Sequence, residues 1–433
     1  MIKKLPQWGL RSSTNLYSLS ILLLLNSQLI FSQVIKNSAT DYFFLSEVLI
    51  GKTIPANLHF PNIHMQRGIS IGIGKDHKNN KEEWAYRLNY PKTGVAIGLG
   101  NMGNRDVLGY QFSILPYAEF PLLTLNEKKI NLMLGLGSSY FTEKYDLKNN
   151  PINKAVSTNI TWSFKLFTYY PIFQTSTTNI RLGLGYAHQS NGHKRLPNNG
   201  FNSFLTSVNA NINFKKIKEI KESPSFFTFE KTQNTYINVE AGWGENTFSP
   251  SFNDPKNVFS FRLGIGKKIN NTYRLGTGIH YHYYQHYYDY INNNESLVQK
   301  GEEFETLKNH PVINASAFGV FITGEMILLN HIGFLTQIGV NLYKPSYSIE
   351  WRYNEGWKDT PQEIPEGWLL GDYNSKYKLK KLFSTRLGVK YYFTSIDSNP
   401  NHNIYLSASI NANLGQADFT EFGLGYIYNL KIN

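Results

Sequence analysis

The feature that most constrains this chain is a strict alternation of large apolar residues with small or polar ones, repeated in many short segments. In residues 180–190 the even positions read Ile, Leu, Leu, Tyr, His and Ser, whereas the odd positions read Arg, Gly, Gly, Ala and Gln. Successive side chains of a β-strand point to opposite faces, so each such segment predicts a strand with one apolar face. No long segment shows the 3.6-residue period of an amphipathic helix. The sequence therefore predicts an all-β protein.

The other face of these strands indicates the kind of sheet. In residues 129–142, 204–214 and 259–266 it carries Gly, Ser, Asn and an occasional Arg, whereas the wet face of a soluble sandwich would carry many Lys and Glu. A transmembrane barrel turns its apolar face to lipid and its polar face to the lumen. The aromatic residues, 15% of the chain, suit girdles at two membrane interfaces. We predict a transmembrane antiparallel outer-membrane β-barrel of about 14–16 strands.

The number of barrels is less constrained than the fold class. One larger barrel is the preferred prediction. The alternative is an eight-stranded barrel followed by a second barrel, because the connection 215–234 is long and charged although it falls on the side of the short turns. The long polar connections are predicted to share the opposite, extracellular side: 143–155, 191–200, 245–256, 289–311 and 345–380.

The first residues are typical of a secretory signal peptide. Lys3, Lys4 and Arg11 precede an apolar run that ends at Phe31, and the small residue Ser32 provides a cleavage site. The predicted organisation is a signal peptide over 1–32, an N-terminal periplasmic segment over 33–66 and a barrel over 67–433, made of the parts 67–215 and 235–433.

Charge and cysteine content narrow the partners. The formal net charge of +12 favours anionic partners, which at an outer membrane are lipid phosphates. Nucleic acid is not expected for an exported chain that has no basic cluster on a helix. The chain contains no cysteine, which excludes disulfides and an N-terminal lipid anchor on cysteine.

A base and a hydroxyl occupy the apolar face of the strand at 180–190. His188 and Ser190 follow Leu182, Leu184 and Tyr186 on that face. A serine hydroxyl is a weak nucleophile until a base removes its proton, and residues two apart on a strand can bring imidazole and hydroxyl together. Apolar surroundings suit a hydrolase that acts on a lipid.

The residues after this pair resemble a known family. His188-Gln189-Ser190-Asn191, followed by Pro197-Asn198-Asn199-Gly200-Phe201-Asn202, is similar to the signature of the PagL-type lipid A deacylases, also called acyloxyacyl hydrolases. The resemblance covers residues 67–215. It implies hydrolysis of an acyl ester of lipid A, or lipopolysaccharide, in the outer leaflet of a Gram-negative, Bacteroidetes-like outer membrane. It also implies a carboxylic ester hydrolase that needs no metal and no cofactor.

The resemblance assigns roles by position. Ser190 would be the nucleophile and His188 the general base. Asn191 and Asn198 would help to hold the oxyanion. Independently of the resemblance, Gly200 permits the backbone to turn its N–H groups toward an oxyanion. Lys194 and Arg195, above the site, would either contact substrate phosphates or keep the loop solvated. The family's acidic partner of the histidine falls at Asn202, which is not an acid. Asn202 could still orient His188 by a hydrogen bond, or Glu143 or Asp146 could replace the acid from a neighbouring loop.

Two other functions remain open on the sequence. The first is a non-enzymatic porin-like or transport barrel, in which His188 lies in the interfacial belt and Ser190 begins a loop. The second is an outer-membrane phospholipase, which would use serine chemistry on the same kind of surface. The oligomeric state is not constrained.

Overall fold

The computed structural model describes residues 41–55, 60–214, 228–357 and 373–430. Within them, antiparallel strands form two closed barrels of eight strands each, β1–β8 and β9–β16. The strands are β1 (Tyr42–Thr53), β2 (Gln66–Asp76), β3 (Lys92–Asn101), β4 (Tyr110–Leu125), β5 (Lys128–Phe141), β6 (Ile160–Gln174), β7 (Thr178–Ser190), β8 (Phe201–Asn213), β9 (Gln233–Asn246), β10 (Lys256–Ile269), β11 (Tyr273–Tyr284), β12 (Ser316–Leu328), β13 (Ile332–Tyr343), β14 (Phe383–Tyr392), β15 (His402–Asn413) and β16 (Gln416–Leu430).

Short helices lie in the connections. They are α1 (Glu83–Arg87), α2 (Arg105–Leu108), α3 (Gln285–Asn292), α4 (Pro311–Asn314), α5 (Tyr347–Glu355) and α6 (Tyr373–Leu382), with 3₁₀ turns at Ser296–Val298 and Glu305–Asn309. Of the helices in the described ranges, none is long and apolar enough to cross a membrane.

The fold class is confirmed, but the preferred single barrel is wrong. Strand β8 returns to pair with β1, with Asn211 opposite Leu45, and β16 closes onto β9, with Phe422 opposite Trp243. The two-barrel alternative is therefore the architecture of the chain. The missed element was β1, which lies inside the segment 33–66 that the sequence assigned to the periplasm. Without β1 the first half has seven strands, and an odd number cannot close with every neighbouring pair antiparallel.

The long connections share one end of the molecule, as the alternation predicted. This loop end carries 142–159 and 191–200 of the first barrel and 247–255, 285–315 and 344–382 of the second. The opposite turn end carries the tight turns 126–127 and 270–272, although α1 and its flanks form a longer connection there. The predicted signal peptide, the link at 215–227 and much of the loop 345–380 lie outside the described residues.

Ion pairs fill both lumens. In the first barrel Lys165 Nζ lies 2.5 Å from Glu47 Oε2, and Arg181 Nη1 lies 2.5 Å from Glu119 Oε1. In the second barrel the buried pairs include Arg262–Glu421 at 2.6 Å, Arg386–Glu240 at 2.5 Å and Lys390–Glu325 at 3.2 Å. The cavities beside these ion pairs in the described barrels are about 90 Å³ in the first and about 20 Å³ in the second. Space for a few waters is not a channel.

The barrels also contact each other at the turn end. Trp84 of α1 and Leu88, the residue that follows α1, pack against Leu328 at the end of β12. Asn330 Nδ2 donates to Glu82 Oε1 at 3.3 Å, and Asn271 Nδ2 donates to Glu83 Oε2 at 3.0 Å. At mid-height the outward residues stay open, with Leu184 62% and Phe422 58% exposed. The described barrels are thus joined near their rims while their apolar belts face lipid.

The filled lumens generate a test of the porin-like alternative. We expect the purified protein to give no ion conductance steps in planar bilayers, because buried ion pairs occupy the path through each barrel. Conductance recordings across a range of voltages, with a large open porin as positive control, make the measurement. Stable single-channel steps from the wild-type protein would restore the transport alternative.

Candidate functional site

The site lies where β7 leaves the membrane belt at the loop end. Leu182 and Leu184 are exposed on the outer face of β7, whereas Arg181 and Gln189 are buried in the lumen. His188 is on the outer face and half-buried. Ser190, the last residue of β7, is on the same face but only 5% exposed. The imidazole and the hydroxyl therefore face away from the lumen, at the upper edge of the lipid-facing surface.

A hydrogen-bond network fixes the imidazole. Strand pairing sets His188 opposite Asn202 on β8, and His188 Nδ1 lies 2.8 Å from Asn202 Oδ1. The Tyr186 hydroxyl donates to the same oxygen at 2.6 Å. Because an amide oxygen only accepts hydrogen bonds, Nδ1 must carry the ring proton. The other nitrogen, Nε2, is then left with a lone pair, which is the state required of a general base.

Gly200 provides the space that His188 and Ser190 share. Its φ is +66°. A Cβ placed on Gly200 would lie 2.9 Å from the Gln189 carbonyl oxygen, 3.4 Å from His188 Cε1 and 3.5 Å from Ser190 Cβ. No hydrogen bond joins the Ser190 hydroxyl to the imidazole in the described structure, and catalytic hydrogen bonds often tighten only when substrate is bound. The two groups flank one small volume beside a glycine.

The candidate oxyanion donors in the loop 191–200 differ in whether their N–H groups already have hydrogen-bond acceptors. Asn191 Nδ2 donates to Arg195 O at 2.7 Å and to Ser157 Oγ of the neighbouring connection at 3.1 Å, so both of its hydrogens are already used. The Gly200 N–H donates to Ala155 O at 2.8 Å. Asn198 accepts from the Asn191 N–H at 3.0 Å through Oδ1. Its Nδ2 has no partner among the described residues, which leaves the Asn198 amide as a donor.

The charged residues above the site differ in what they bind. Lys194 Nζ pairs with Glu245 Oε2 of the second barrel at 2.6 Å. Arg195 is exposed, and none of the described residues forms an ion pair with it. The alternative acids also take no part: Glu143 and Asp146 are exposed, and Asp146 Oδ1 accepts from the N–H groups of Lys148 and Asn149. The partner of His188 is Asn202, not a loop carboxylate.

The second barrel covers one side of the site, which the sequence did not indicate. Trp162, opposite Ser190 on β6, donates through its indole N–H to Thr420 Oγ1 of β16 at 3.0 Å. Gly192 packs so close to Thr420 that an added Cβ would lie 2.1 Å from that hydroxyl oxygen. These residues have no shared motif or period in the sequence. Their meeting follows only from how the two barrels pack.

Comparison with known proteins gives one family. The family described as "Lipid A 3-O-deacylase (PagL)" matches residues 68–213, which span β2–β8. A crystal structure of the outer membrane enzyme PagL is 12% identical, covers 38% of this chain and 97% of its own, and has a TM-score of 0.28. Omp33 of Acinetobacter baumannii is 8% identical over 91% of this chain and 100% of its own, with a TM-score of 0.14. OprD of Pseudomonas aeruginosa is 10% identical over 91% and 95%, with a TM-score of 0.20. No curated protein sequence matches the chain.

Gly200 offers a test of the shared volume. We expect Gly200→Ala to lower turnover of a lipid ester strongly, because its Cβ would lie 2.9 Å from the Gln189 carbonyl oxygen and so displace the strand segment that carries His188 and Ser190. Strain at the positive φ adds about 1–2 kcal/mol of lost stability. The matched control is Gly415→Ala in the β15–β16 turn, where φ is +84° and nothing lies within 4 Å. Equal loss of turnover in both variants would show that the effect is backbone strain alone.

Proposed function

We propose that this protein is an outer-membrane lipid A deacylase whose catalytic unit is the first barrel, the part that matches the lipid A 3-O-deacylase (PagL) family. The observation that carries the proposal is the placement of His188 and Ser190 on the outer face of β7, with the ring held by Asn202. An acyl ester of a lipid in the outer leaflet reaches that face without leaving the membrane. The filled lumens offer no other route to the site.

The reaction follows serine-esterase logic. The Ser190 oxygen attacks the ester carbonyl carbon while His188 Nε2 removes the hydroxyl proton. The tetrahedral intermediate collapses, the C–O bond to the sugar breaks, and the imidazolium returns the proton to the leaving sugar oxygen. Water, deprotonated by the same imidazole, then attacks the acyl-serine and releases the fatty acid. Each step moves one proton between Nε2 and an oxygen, so the ring ends as it began.

The neighbouring residues support the charged states of this cycle. Asn202 keeps the proton on Nδ1, and Tyr186 fixes the Asn202 oxygen from the other side. The free amide of Asn198 is the side-chain donor we assign to the oxyanion, worth about 3–4 kcal/mol of transition-state stabilisation in comparable sites. Asn191 instead holds the loop in place by its hydrogen bonds, and Gly200 leaves room beside Ser190. Arg195, with its planar fork of donors, is the residue we assign to a lipid A phosphate.

The nucleophile is tested by mass spectrometry of lipid A. We expect cells expressing wild-type protein to show lipid A with one acyl chain fewer, and cells expressing Ser190→Ala to show the full complement. Ser207→Ala is the matched control, since Ser207 lies on β8 with its hydroxyl buried in the lumen and unpartnered among the described residues. Identical spectra for wild type and Ser190→Ala would remove the proposal. Fatty acid released from glycerophospholipid, with lipid A intact, would instead indicate a phospholipase.

Substitutions of Asn202 give a second test, in which one variant is expected to raise kcat. An aspartate there would keep the same acceptor geometry and add a negative charge beside the imidazolium that forms during attack. We expect Asn202→Asp to raise kcat by roughly 10-fold and Asn202→Leu to lower it by roughly 100-fold or more, because leucine removes the tautomer control. Initial rates on purified lipid A in detergent micelles provide the comparison. Unchanged rates in both variants would mean that Asn202 does not act on His188.

A further inference from the structure

The middle of the loop 191–200 is held from outside its own barrel. Asn253, in the β9–β10 connection, accepts from the Leu196 N–H at 2.9 Å through Oδ1 and donates to the Leu196 carbonyl at 2.6 Å through Nδ2. Thr247 donates from its N–H to His193 O at 3.1 Å and from its hydroxyl to Lys194 O at 2.6 Å. The second barrel thus binds both backbone groups of Leu196 and the carbonyl oxygens of His193 and Lys194.

The ends of the same loop are held by the first barrel. Asn199 N donates to Lys154 O at 3.1 Å and Gly200 N to Ala155 O at 2.8 Å, both in the neighbouring connection 142–159. At the other end Asn191 donates to Ser157. The first barrel therefore fixes where the loop starts and stops, while the path between them depends on contacts with the second barrel.

His193 and Gly192 bring the loop against the second barrel at close range. His193 is 6% exposed with φ +69°, and the charges of Asp418 and Lys344 in the second barrel act on its ring. Burial lowers the pKa of His193 even though the Asp418 charge opposes the shift, so the ring is neutral at pH 7. Gly192, with φ +65°, leaves the room that Thr420 occupies. The buried His193 and the glycine required at position 192 show that the loop packs closely against the second barrel.

This contact lies close to the proposed catalytic residues. Asn198, whose amide is the assigned oxyanion donor, lies two residues after the clamped Leu196, and Gly200, which lines the volume beside Ser190, lies four residues after it. A displacement of Leu196 therefore moves the donor relative to the hydroxyl. Misplacement of a reacting group by about 1 Å can cost on the order of 100-fold in rate.

We propose that the second barrel is a built-in positioning element of the catalytic site, and that Asn253 is its principal positioning residue. The inference rests on the proposed deacylase function. Asn253 touches neither Ser190 nor His188; it acts through Leu196 and the loop. The second barrel thereby has a defined role that requires no passage through its lumen.

Removing the clamp tests the proposal. We expect Asn253→Ala to lower kcat on lipid A by roughly 10- to 100-fold while KM changes by less than about twofold, because the donor is misplaced but the lipid surface is intact. Asn253→Asp keeps the acceptor for the Leu196 N–H and should give an intermediate kcat. The matched control is Asn403→Ala, since Asn403 makes the same two bonds to Thr394 N and O, at 3.1 and 2.7 Å, at the turn end of the second barrel.

A second readout separates this inference from the deacylase proposal. The chain has no cysteine, so Arg195→Cys carries a single spin label on the loop. We expect the label to be more mobile in the Asn253→Ala background and unchanged in the Asn403→Ala background. Unchanged mobility together with unchanged kcat in Asn253→Ala overturns the positioning role. Wild-type protein that leaves lipid A intact overturns the proposed function, and the label alone then decides whether the second barrel orders the loop.

A suppression experiment checks the contact directly. Gly192→Ala would place a methyl group 2.1 Å from the Thr420 hydroxyl oxygen, and Thr420→Ala removes that oxygen. We expect the double variant to recover part of the kcat lost in Gly192→Ala, although strain at the positive φ remains. A double variant no more active than Gly192→Ala would show that the second barrel does not bear on the loop in solution.

Discussion

Strand closure is the constraint on which the rest of the molecule depends. In hydrocarbon every backbone N–H and C=O must be paired within the protein, so each spanning sheet has to close on itself. Here closure happens twice, through β1 with β8 and through β9 with β16. Eight strands give an interior that side chains can fill, and charged pairs fill it. With both interiors occupied, the surfaces that a lipid can reach are the outer faces of the barrels.

The outer surface explains why an amide in place of an acid is a workable partner for His188. In the first lumen each carboxylate is paired with a cation, as Glu47 is with Lys165 and Glu119 with Arg181. No cation occupies the equivalent place beside His188 in the described structure, where the imidazole meets Asn202 and Tyr186. A carboxylate there would be unpaired whenever the imidazole is neutral, and partial burial makes such a charge costly. Asn202 avoids that cost and keeps the tautomer, at the expense of a weaker base.

The features that follow from local periodicity were predictable. Alternation gave the all-β class and the faces of β5–β8, and it put the long loops at one end. The pairing of His188 with Asn202 was expected from the resemblance to the PagL-type family, whose acidic partner of the histidine falls at position 202. The closure of two barrels was missed because residues 42–53 were assigned to the periplasm. Apolar residues lie on both faces of this strand, with Phe43 and Leu45 buried inside the barrel, so its alternation is weaker than that of the other strands. Thr247, Asn253 and Thr420 could not be found this way, since they are single polar residues whose partners lie in the other barrel.

The location of the barrel–barrel contacts is itself a consequence of the membrane. Between two apolar surfaces in lipid there is no hydrophobic gain, because acyl chains cover each surface as well as the other barrel would. Specific association must come from polar contacts and close packing near the rims, as at α1 on one end and Trp162–Thr420 on the other. The outer leaflet lies at the loop end of the barrels, so a site that acts on its lipids has to lie near the loop-end rim. A second barrel fixed beside the first is therefore bound to touch the loops around Ser190, and the bonds from Thr247 and Asn253 turn that proximity into control of the loop's shape.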